Sequence, residues 1–232
     1  MKPIIETDQQ FICEIQADCF QLLSPEEGER IRAGKTQVLF RKGDMLTKQA
    51  AFSSYILFLL KGICKVYLEG ADNRSFNINL TGPGEFLGLD TLYNTQATFA
   101  FSTMALSECQ AFLIDKQTFE EILQQNVRFA NHLFIRYCTQ SEQLTALLKQ
   151  QLFHQMPGKL AQTLLYLEDF REKEPSIFQL LTRKDLGDFI GSSTEGTIKL
   201  LKSFEREGLI ELDDKDIRIR EFNRLQDIRQ HG

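Results

Sequence analysis

The sequence has no hydrophobic run long enough to cross a membrane. Its longest apolar stretch in 232 residues is Tyr55–Leu60, six residues long, whereas a membrane-spanning helix needs about 20. The amino-terminal segment MKPIIETDQQ also has no long apolar core of the kind found in secretory signals. We therefore expect a cytoplasmic protein with no membrane partner.

The sequence is also poor in cysteine and has no excess of positive charge. Its five cysteines form no CxxC pair: Cys13, Cys19, Cys64, Cys109 and Cys138. This odd, scattered set favours a reducing compartment over a disulfide-stabilised scaffold. The formal net charge of −5 disfavours indiscriminate nucleic-acid binding but leaves room for a local basic surface.

What remains is an ordinary globular composition, with 42% hydrophobic and 25% charged residues, which predicts one large domain or two small ones. From residue 37 to about residue 115, β-rich segments alternate with turns. The expected strands are Gln37–Phe40, Ser54–Leu60, Ile63–Leu68, Ser75–Leu80, Thr98–Leu106 and Ala111–Ile114. Many short strands at regular spacing predict a sandwich, barrel or roll.

A helical pattern takes over after Asp115. Residues suited to a seam between two helices recur at three- and four-residue spacing: Ala130, Leu133, Tyr137, Gln140, Leu144, Leu147 and Gln151. The uninterrupted stretch Phe119–Phe153 is too long for an ordinary globular helix, so it predicts a dimer helix. The alternative is a core helix packed on the β-rich module. Met156-Pro157-Gly158 then predicts a helix break and a domain boundary.

The carboxy-terminal segment has the pattern of helices followed by a hairpin. The expected elements are helices over Lys159–Phe170, Thr182–Gly191 and Ser193–Gly208 and strands over Leu209–Leu212 and Ile217–Arg220. Thr182 with Asp185 predicts a helix N-cap, and Gly187 allows a second helix to approach closely. Gly191 ends the first helix at a position that tolerates the left-handed conformation. This pattern predicts a helix-turn-helix with a two-stranded wing.

The exposed face of the second helix carries side chains suited to DNA. The predicted base-reading residues are Thr194, Glu195, Ile198 and Lys199. A carboxylate accepts from cytosine, a lysine donates to guanine, and an isoleucine contacts a thymine methyl group. The predicted phosphate contacts are Thr182, Arg183, Ser192, Ser193 and Lys202. The alternative is a solvated face on an ordinary helical hairpin.

Three stretches resemble the Crp/Fnr family of bacterial transcription regulators: Gly84–Gly88, Gly158–Leu165, and Leu181–Leu201 with Glu207–Ile210. The resemblance implies an α+β fold with an amino-terminal β-roll of the double-stranded jelly-roll type, a long dimerisation helix and a winged helix-turn-helix. The implied boundaries are 1–117 for the sensor, 118–155 for the dimerisation helix and hinge, and 156–232 for the DNA-binding domain. It also implies a homodimer on a two-fold symmetric site, with half-sites about one helical turn apart.

Two positions on the second helix depart from the family pattern. The family's base-reading helix carries an Arg/Val–Glu pair and an arginine one turn later. Glu195 keeps this pattern, whereas Thr194 and Lys199 depart from it. Because lysine lacks the planar fork of arginine, we expect a different or more loosely read DNA sequence.

The sensor departs from the family members that bind cyclic nucleotide. Those members use an acidic residue after the roll glycine and an arginine–serine pair further along. Here Leu89 follows Gly88, and no arginine occurs between Arg74 and Arg128. A buried phosphate needs a cation or a nest of amides, so we expect an unidentified effector other than cyclic AMP. The candidate pocket between roll and helix consists of Gly88, Leu89, Thr98, Leu144 and Thr145.

No cofactor is identified from the sequence. Iron–sulfur members of the family use amino-terminal cysteines plus one in the roll, and Cys13 and Cys19 match only part of that set. The three histidines, His132, His154 and His231, lie outside the β-rich module, which disfavours both haem ligation and a metal enzyme built on the roll.

The predicted function is a transcription regulator and not an enzyme. Its expected partners are double-stranded DNA, a second copy of the chain and, for an activator, RNA polymerase. The alternative is an effector- or partner-binding module whose helix-turn-helix no longer binds DNA.

Overall fold

The computed structural model describes residues 2–3, 19–72 and 74–231. Its strands are β1 Lys2–Pro3, β2 Lys35–Phe40, β3 Met45–Thr47, β4 Tyr55–Lys61, β5 Cys64–Glu69, β6 Ser75–Thr81, β7 Phe86–Leu87, β8 Ser102–Ala105, β9 Cys109–Asp115, β10 Ile210–Asp213 and β11 Asp216–Ile219. Its helices are α1 Pro25–Ala33, α2 Lys116–Gln125, α3 Val127–Phe153, α4 Met156–Phe170, α5 Ile177–Leu180, α6 Arg183–Ile190, α7 Thr194–Arg206 and α8 Phe222–His231. This order confirms the predicted α+β fold.

The strands of the amino-terminal part form two sheets. One has the order β1-β2-β9-β4-β7, and the other has the order β3-β8-β5-β6. Strand β9 lies antiparallel to both β2 and β4, with Val38 opposite Ala111 on one side and Leu57 opposite Leu113 on the other. Two sheets of short strands agree with the predicted β-roll.

The core beside the five-stranded sheet is aromatic. The buried rings of Phe20, Phe58, Phe86, Phe119 and Phe129 follow one another, with neighbouring centroids 4.7, 4.8, 5.4 and 5.7 Å apart. These edge-on and tilted arrangements are the ones that aromatic pairs prefer. Since the last two rings belong to α2 and α3, the series anchors the start of the long helix to the sheet.

One predicted strand is shorter than expected. The sequence pattern predicts a strand over Thr98–Leu106, but β8 begins only at Ser102. The residues before it form a loop, in which Thr98 makes an isolated bridge to Phe52. The sequence pattern typical of a strand therefore extends beyond β8 into a loop, and this loop pairs with another loop instead of with a strand.

The predicted continuous helix over Phe119–Phe153 is wrong, because Asn126 divides it into α2 and α3. The side-chain amide of Asn126 donates to the Leu22 carbonyl at 2.9 Å and to the Glu27 carboxylate at 2.8 Å. Its side-chain oxygen accepts the N–H of Phe129 at 2.9 Å and so caps the start of α3. These contacts offer the backbone a better arrangement than an unbroken helix.

The predicted break at Met156-Pro157-Gly158 is also misplaced. The chain leaves α3 after Phe153, and Met156 is already the first residue of α4. Pro157 therefore lies in the first turn of a helix, where its missing N–H costs nothing and its fixed φ is suitable. Proline here begins a helix instead of ending one.

Three further helices were not expected from the sequence. Helix α1 begins at a capping box formed by Ser24 and Glu27, with Pro25 in its first turn. Helix α5 is a single short turn after the loop that follows α4. Helix α8 follows the wing, and Leu225 on it is fully buried. Each of the three helices lies next to an element that the sequence did predict: α1 precedes β2, α5 precedes α6, and α8 follows β11.

The described residues fall into two compact units. The first unit combines residues of Met1–Glu69 with Asn79–Glu142, and the second combines Gly70–Ile78 with Gln143–Gly232. The first therefore holds most of the two sheets, and the second holds the helix-turn-helix and the wing. No helix in the described ranges is both long and apolar enough to cross a membrane.

Candidate nucleic-acid interface

Helix α6 begins at a reciprocal cap. The Thr182 hydroxyl accepts the N–H of Asp185 at 3.1 Å, and the Asp185 carboxylate accepts the N–H of Thr182 at 2.8 Å. This confirms the N-cap predicted from the sequence. The same hydroxyl donates its proton to the Asp185 carboxylate at 2.5 Å. Thr182 therefore has no second hydroxyl proton for the phosphate contact predicted for it.

The turn between α6 and α7 depends on two glycines. Gly191 has φ 70° in the left-handed region that favours glycine. Gly187 lies under the following helix, since a Cβ added there would be 2.8 Å from the Ser192 carbonyl and 2.9 Å from the Thr197 hydroxyl. The predicted glycine turn and close approach are therefore confirmed.

Helix α7 presents one buried and one exposed face. Ser193 caps its start by accepting the N–H of Gly196 at 3.1 Å. Thr197, Leu201 and Phe204 are buried beneath it. Five predicted DNA contacts lie on the exposed face: Thr194, Glu195, Ile198, Lys199 and Lys202. Their spacing along the helix makes this face continuous, and its amino end carries the base-reading candidates.

Arg183, a predicted phosphate contact, is engaged by a hydrogen bond within the chain. Its guanidinium donates to the carbonyl of Asp214 in the wing turn at 3.1 Å, and burial lowers the pKa of Arg183. The group nevertheless keeps its charge, because an arginine does not lose its proton near neutral pH. It therefore joins α6 to the wing while adding a positive charge beside the turn. Ser192 is half-buried in the turn.

The wing itself is acidic. Strands β10 and β11 pair antiparallel around the turn Asp213–Asp216. Its two arginines are engaged by carboxylates, since Arg218 pairs with Asp213 at 2.6 Å and Arg220 pairs with Glu211. Lys215 in the turn is exposed among three aspartates, so the turn as a whole carries a net negative charge.

Comparison with known families identifies both halves of this architecture. The model for the cyclic nucleotide-binding domain matches residues 37–126, and the model for the Crp-like helix-turn-helix domain matches residues 158–228.

The chain belongs to the Crp/Fnr family of transcriptional regulators.

Curated relatives of this Crp/Fnr regulator agree. The cAMP-activated global transcriptional regulator CRP of Pasteurella multocida is 26% identical over 165 residues, which cover 70% of this chain and 79% of the relative. The anaerobic regulatory protein of Bacillus subtilis is 22% identical over 205 residues, which cover 86% of this chain and 82% of the relative. These matches identify a DNA-binding transcription regulator and point away from catalysis.

Solved structures share the fold. The c-di-GMP responsive global regulator CLP of Xanthomonas campestris superposes with a TM-score of 0.73 at 17% identity, covering 84% of this chain and 99% of that one. A Crp/Fnr-family transcriptional regulator of Thermus thermophilus superposes with a TM-score of 0.64 at 15% identity, covering 84% and 98%. At such low identity the likeness concerns the fold alone.

The predicted effector pocket of the Crp/Fnr regulator is distributed over both units. Gly88, Leu89 and Thr98 belong to the first unit, whereas Leu144 and Thr145 are exposed on the part of α3 that belongs to the second. Leu89 packs against the aromatic core of its own unit. The Leu89 side chain therefore contributes to the core of the first unit. Its place in the sequence, directly after Gly88, does not predict this packing.

Two described thiols of the regulator, those of Cys64 and Cys109, are buried hydrogen-bond donors. Cys64 donates to the Thr81 carbonyl at 3.6 Å, and Cys109 donates to the Ile63 carbonyl at 3.4 Å. Burial raises the pKa of Cys109 to about 11 and raises the pKa of Cys64 well above its usual value. A metal or cluster ligand must be a thiolate, so these two side chains are poorly suited to that role.

The other cysteines and histidines considered as cofactor ligands form no metal or cluster site among the described residues. Cys13 lies outside the described residues, as does the side chain of His231, and Cys19 is buried in the aromatic core. His132 and His154 are half-buried on α3 and just after it. Within the part of the chain that the structure describes, no group of three histidine, cysteine or acidic side chains is arranged to hold a metal ion.

The predicted dimer seam on α3 is partly used by the chain itself. Leu133 is buried in the core of the first unit, while Tyr137 and Leu144 are exposed. Ala130, Gln140 and Leu147 are half-buried. Further large apolar side chains, which the sequence analysis missed, are exposed on this helix: Phe134, Ile135, Leu148 and Leu152. The last two continue the four-residue spacing after Leu144, so the sequence contained the signal for them.

Proposed function

We propose that the regulator binds a two-fold symmetric DNA site through the exposed face of α7. The observation that carries this proposal is the position of Thr194, Glu195 and Lys199 on an exposed helix face, held by the cap at Ser193 and the contact at Gly187. Glu195 accepts from a cytosine amino group, and Lys199 donates to a guanine. Lys202 and the amides at the start of α7 contact phosphates.

The proposed assembly is a homodimer formed along α3. Phe134, Leu148 and Leu152 are between 59% and 66% exposed in the single chain, which is costly for large apolar side chains unless a partner covers them. A second copy of α3 offers the same stripe, so a two-fold axis brings like surfaces together. Such an axis also gives two copies of α7 the symmetry that a palindromic site requires.

The proposed effector is not cyclic AMP, although several curated relatives are described as cAMP-activated. The matched nucleotide-binding segment has no arginine between Arg74 and Arg128. Leu89, which occupies the place of the family's acidic ribose ligand, is packed against the core. A nucleotide phosphate and ribose would therefore lack both of their charged partners.

Selection of binding sites from a random DNA pool, with the purified full chain, tests the proposal. We expect enrichment of a two-fold symmetric motif without added cyclic AMP. Selections under air and without oxygen should give the same motif, since Cys64 and Cys109 of the first unit are buried hydrogen-bond donors. Failure to enrich any motif would contradict DNA reading by α7, and a motif that appears only with cyclic AMP would contradict the effector proposal.

The acidic wing favours a second candidate, a partner-binding module whose helix-turn-helix does not bind DNA. The turn Asp213–Asp216 repels phosphates. Salt dependence separates the two candidates, because phosphate contacts make specific DNA affinity fall steeply with added salt. A chain that binds no DNA at low salt, with or without the selected motif, would support this second candidate.

A further inference from the structure

The loop between β7 and β8 closes on itself through a carboxylate. After Gly88 the chain makes a short helical turn, in which the Thr91 hydroxyl donates to the Gly88 carbonyl at 2.6 Å. Asp90 in this turn reaches across the loop, and its carboxylate accepts the N–H of Ala100 at 3.0 Å. A hydrogen bond to an ionised group is stronger than one between neutral groups. Asp90 therefore joins the two ends of the loop.

The far end of the loop is held independently of Asp90. The carbonyl of Phe99 accepts the N–H of Ala50 at 2.9 Å, and its N–H donates to the Ala51 carbonyl at 3.1 Å. The Phe99 ring lies against Gly88, where an added Cβ would be 2.8 Å from a ring carbon. Gly88 has φ 88°, so both its conformation and its lack of a side chain are required. The Ala100 amide is thus presented to Asp90 by a fixed backbone.

The loop has no cation of its own. No lysine, arginine or histidine occurs between Arg74 and Lys116. The Lys116 ammonium donates to the carbonyl of Thr91 in the same short turn. An anion that approached this loop would meet the Asp90 carboxylate, and the Ala100 amide already has an anionic acceptor. At the contact between Asp90 and Ala100, charge and hydrogen bonding therefore both oppose an anionic ligand, while the Lys116 ammonium is held by the Thr91 carbonyl.

We propose that Asp90 is an internal cap that keeps this loop closed without a ligand and excludes anionic effectors, cyclic nucleotides among them. The proposal rests on the proposed role of the first unit as the sensor and specifies how that sensor selects against charge. An effector that binds beside the loop is accordingly neutral or apolar. The Phe99 ring provides apolar surface for it next to Gly88.

Hydrogen–deuterium exchange of the full chain, read by mass spectrometry on peptides that contain Ala100, tests the cap. In Asp90→Ala we expect exchange in this peptide to be at least about tenfold faster, as for loss of a hydrogen bond to a charged group. Asp90→Asn keeps a neutral acceptor of the same shape and should give an intermediate rate. Glu120→Ala is the matched control, because the Glu120 carboxylate on α2 has no hydrogen bond or ion pair within the described chain. The Ala100 peptide of this variant should exchange at the wild-type rate.

Cyclic AMP and inorganic phosphate are then added separately to the wild-type chain, each at about 1 mM. This concentration reveals even weak binding. We expect no change in exchange at the Ala100 peptide. Unchanged exchange in Asp90→Ala would overturn the cap, and protection of the wild-type loop by either anion would overturn the exclusion of anions. If Asp90→Ala does not fold, the exchange rate of the Ala100 peptide in Asp90→Asn decides instead: a rate faster than the wild type supports the cap, and an unchanged rate contradicts it.

DNA binding is measured on the same preparations. A wild-type chain that binds no DNA contradicts the proposed function but leaves the exchange rates at Ala100, and therefore the cap, intact. A chain that binds DNA but whose loop is protected by cyclic AMP contradicts the exclusion of anions and the proposal that the effector is not cyclic AMP, and it leaves DNA reading by α7 intact. The two failures are therefore distinguishable.

Discussion

Glu195 and Lys202 share the exposed face of α7 but contact different parts of DNA in the proposed complex. Glu195→Ala should abolish discrimination at one base pair of each half-site, a loss of about 1–3 kcal/mol per position, because a carboxylate accepts only from particular base edges. Binding to sites that carry each of the four base pairs at that position measures it.

Lys202→Ala is the control for this prediction. Because a phosphate contact carries no sequence information, the variant should weaken all sites alike and lower the slope of affinity against salt by about 1. If Glu195→Ala kept its base preference, α7 would have to enter the groove in another orientation than the one proposed.

The thiols differ sharply in their expected reactivity. Cys138 is exposed on α3, whereas Cys64 and Cys109 are buried. Because burial raises the pKa of Cys109 to about 11, only about a thousandth of it is thiolate at pH 8. Brief treatment with iodoacetamide at pH 8 should alkylate Cys138 and leave Cys64 and Cys109 intact, as read from the mass of each cysteine peptide.

Unfolding in urea provides the control for thiol reactivity. All three side chains should then react, because burial no longer disfavours the thiolate. Rapid alkylation of Cys109 in the folded chain would mean that the strands around it open often, and it would return this thiol to the set of candidate ligands.

At the scale of elements, the approach of α7 to α6 depends on Gly187. Alanine normally stabilises a helix interior relative to glycine, but here its Cβ would lie 2.8 Å from the backbone carbonyl of Ser192. Because a backbone atom cannot turn away as a flexible side chain can, Gly187→Ala should destabilise the helix-turn-helix by about 1–3 kcal/mol. Urea unfolding followed by circular dichroism measures the change.

Gly70→Ala is the matched control for this substitution. A Cβ added at Gly70 would meet nothing closer than 3.6 Å, so this variant should unfold close to the wild-type urea concentration. A Gly187→Ala chain as stable as the wild type would show that α6 and α7 can shift apart at little cost.

At the scale of the whole molecule, the exposed stripe on α3 determines the oligomeric state that we propose. Leu148 is 59% exposed in the single chain. Leu148→Glu would bury a charge in the two-fold interface, which is strongly unfavourable without a partner charge. We expect a dimer by sedimentation equilibrium for the wild type, a monomer for the variant, and weaker binding of the variant to a two-fold site.

Lys149→Glu is the matched control for the interface. Lys149 is the next residue along α3 and is also exposed, so the substitution changes more charge without removing apolar surface. This variant should remain dimeric. A Leu148→Glu chain that dimerises like the wild type would move the interface away from this stripe.

The break in the long helix could not be read from the sequence around it. Asn126 interrupts α2 and α3 by bonding to Leu22 and Glu27, which lie far away in the chain. The local pattern continues through this position, and a single asparagine is only a weak helix breaker. Pro157 was predicted to break a helix but lies in the first turn of α4. A proline can end one helix or begin the next, and its own position in the sequence does not distinguish the two.

The sequence by itself determined the helix-turn-helix, because its signals are local: the cap that joins Thr182 and Asp185, the left-handed glycine at Gly191, and the apolar spacing of α7. Only the tertiary structure decided that Leu133 belongs to the chain's own core and that Asp90 faces Ala100. Those outcomes depend on which distant segments the fold brings together, and hydrophobic periodicity carries no information about such pairings.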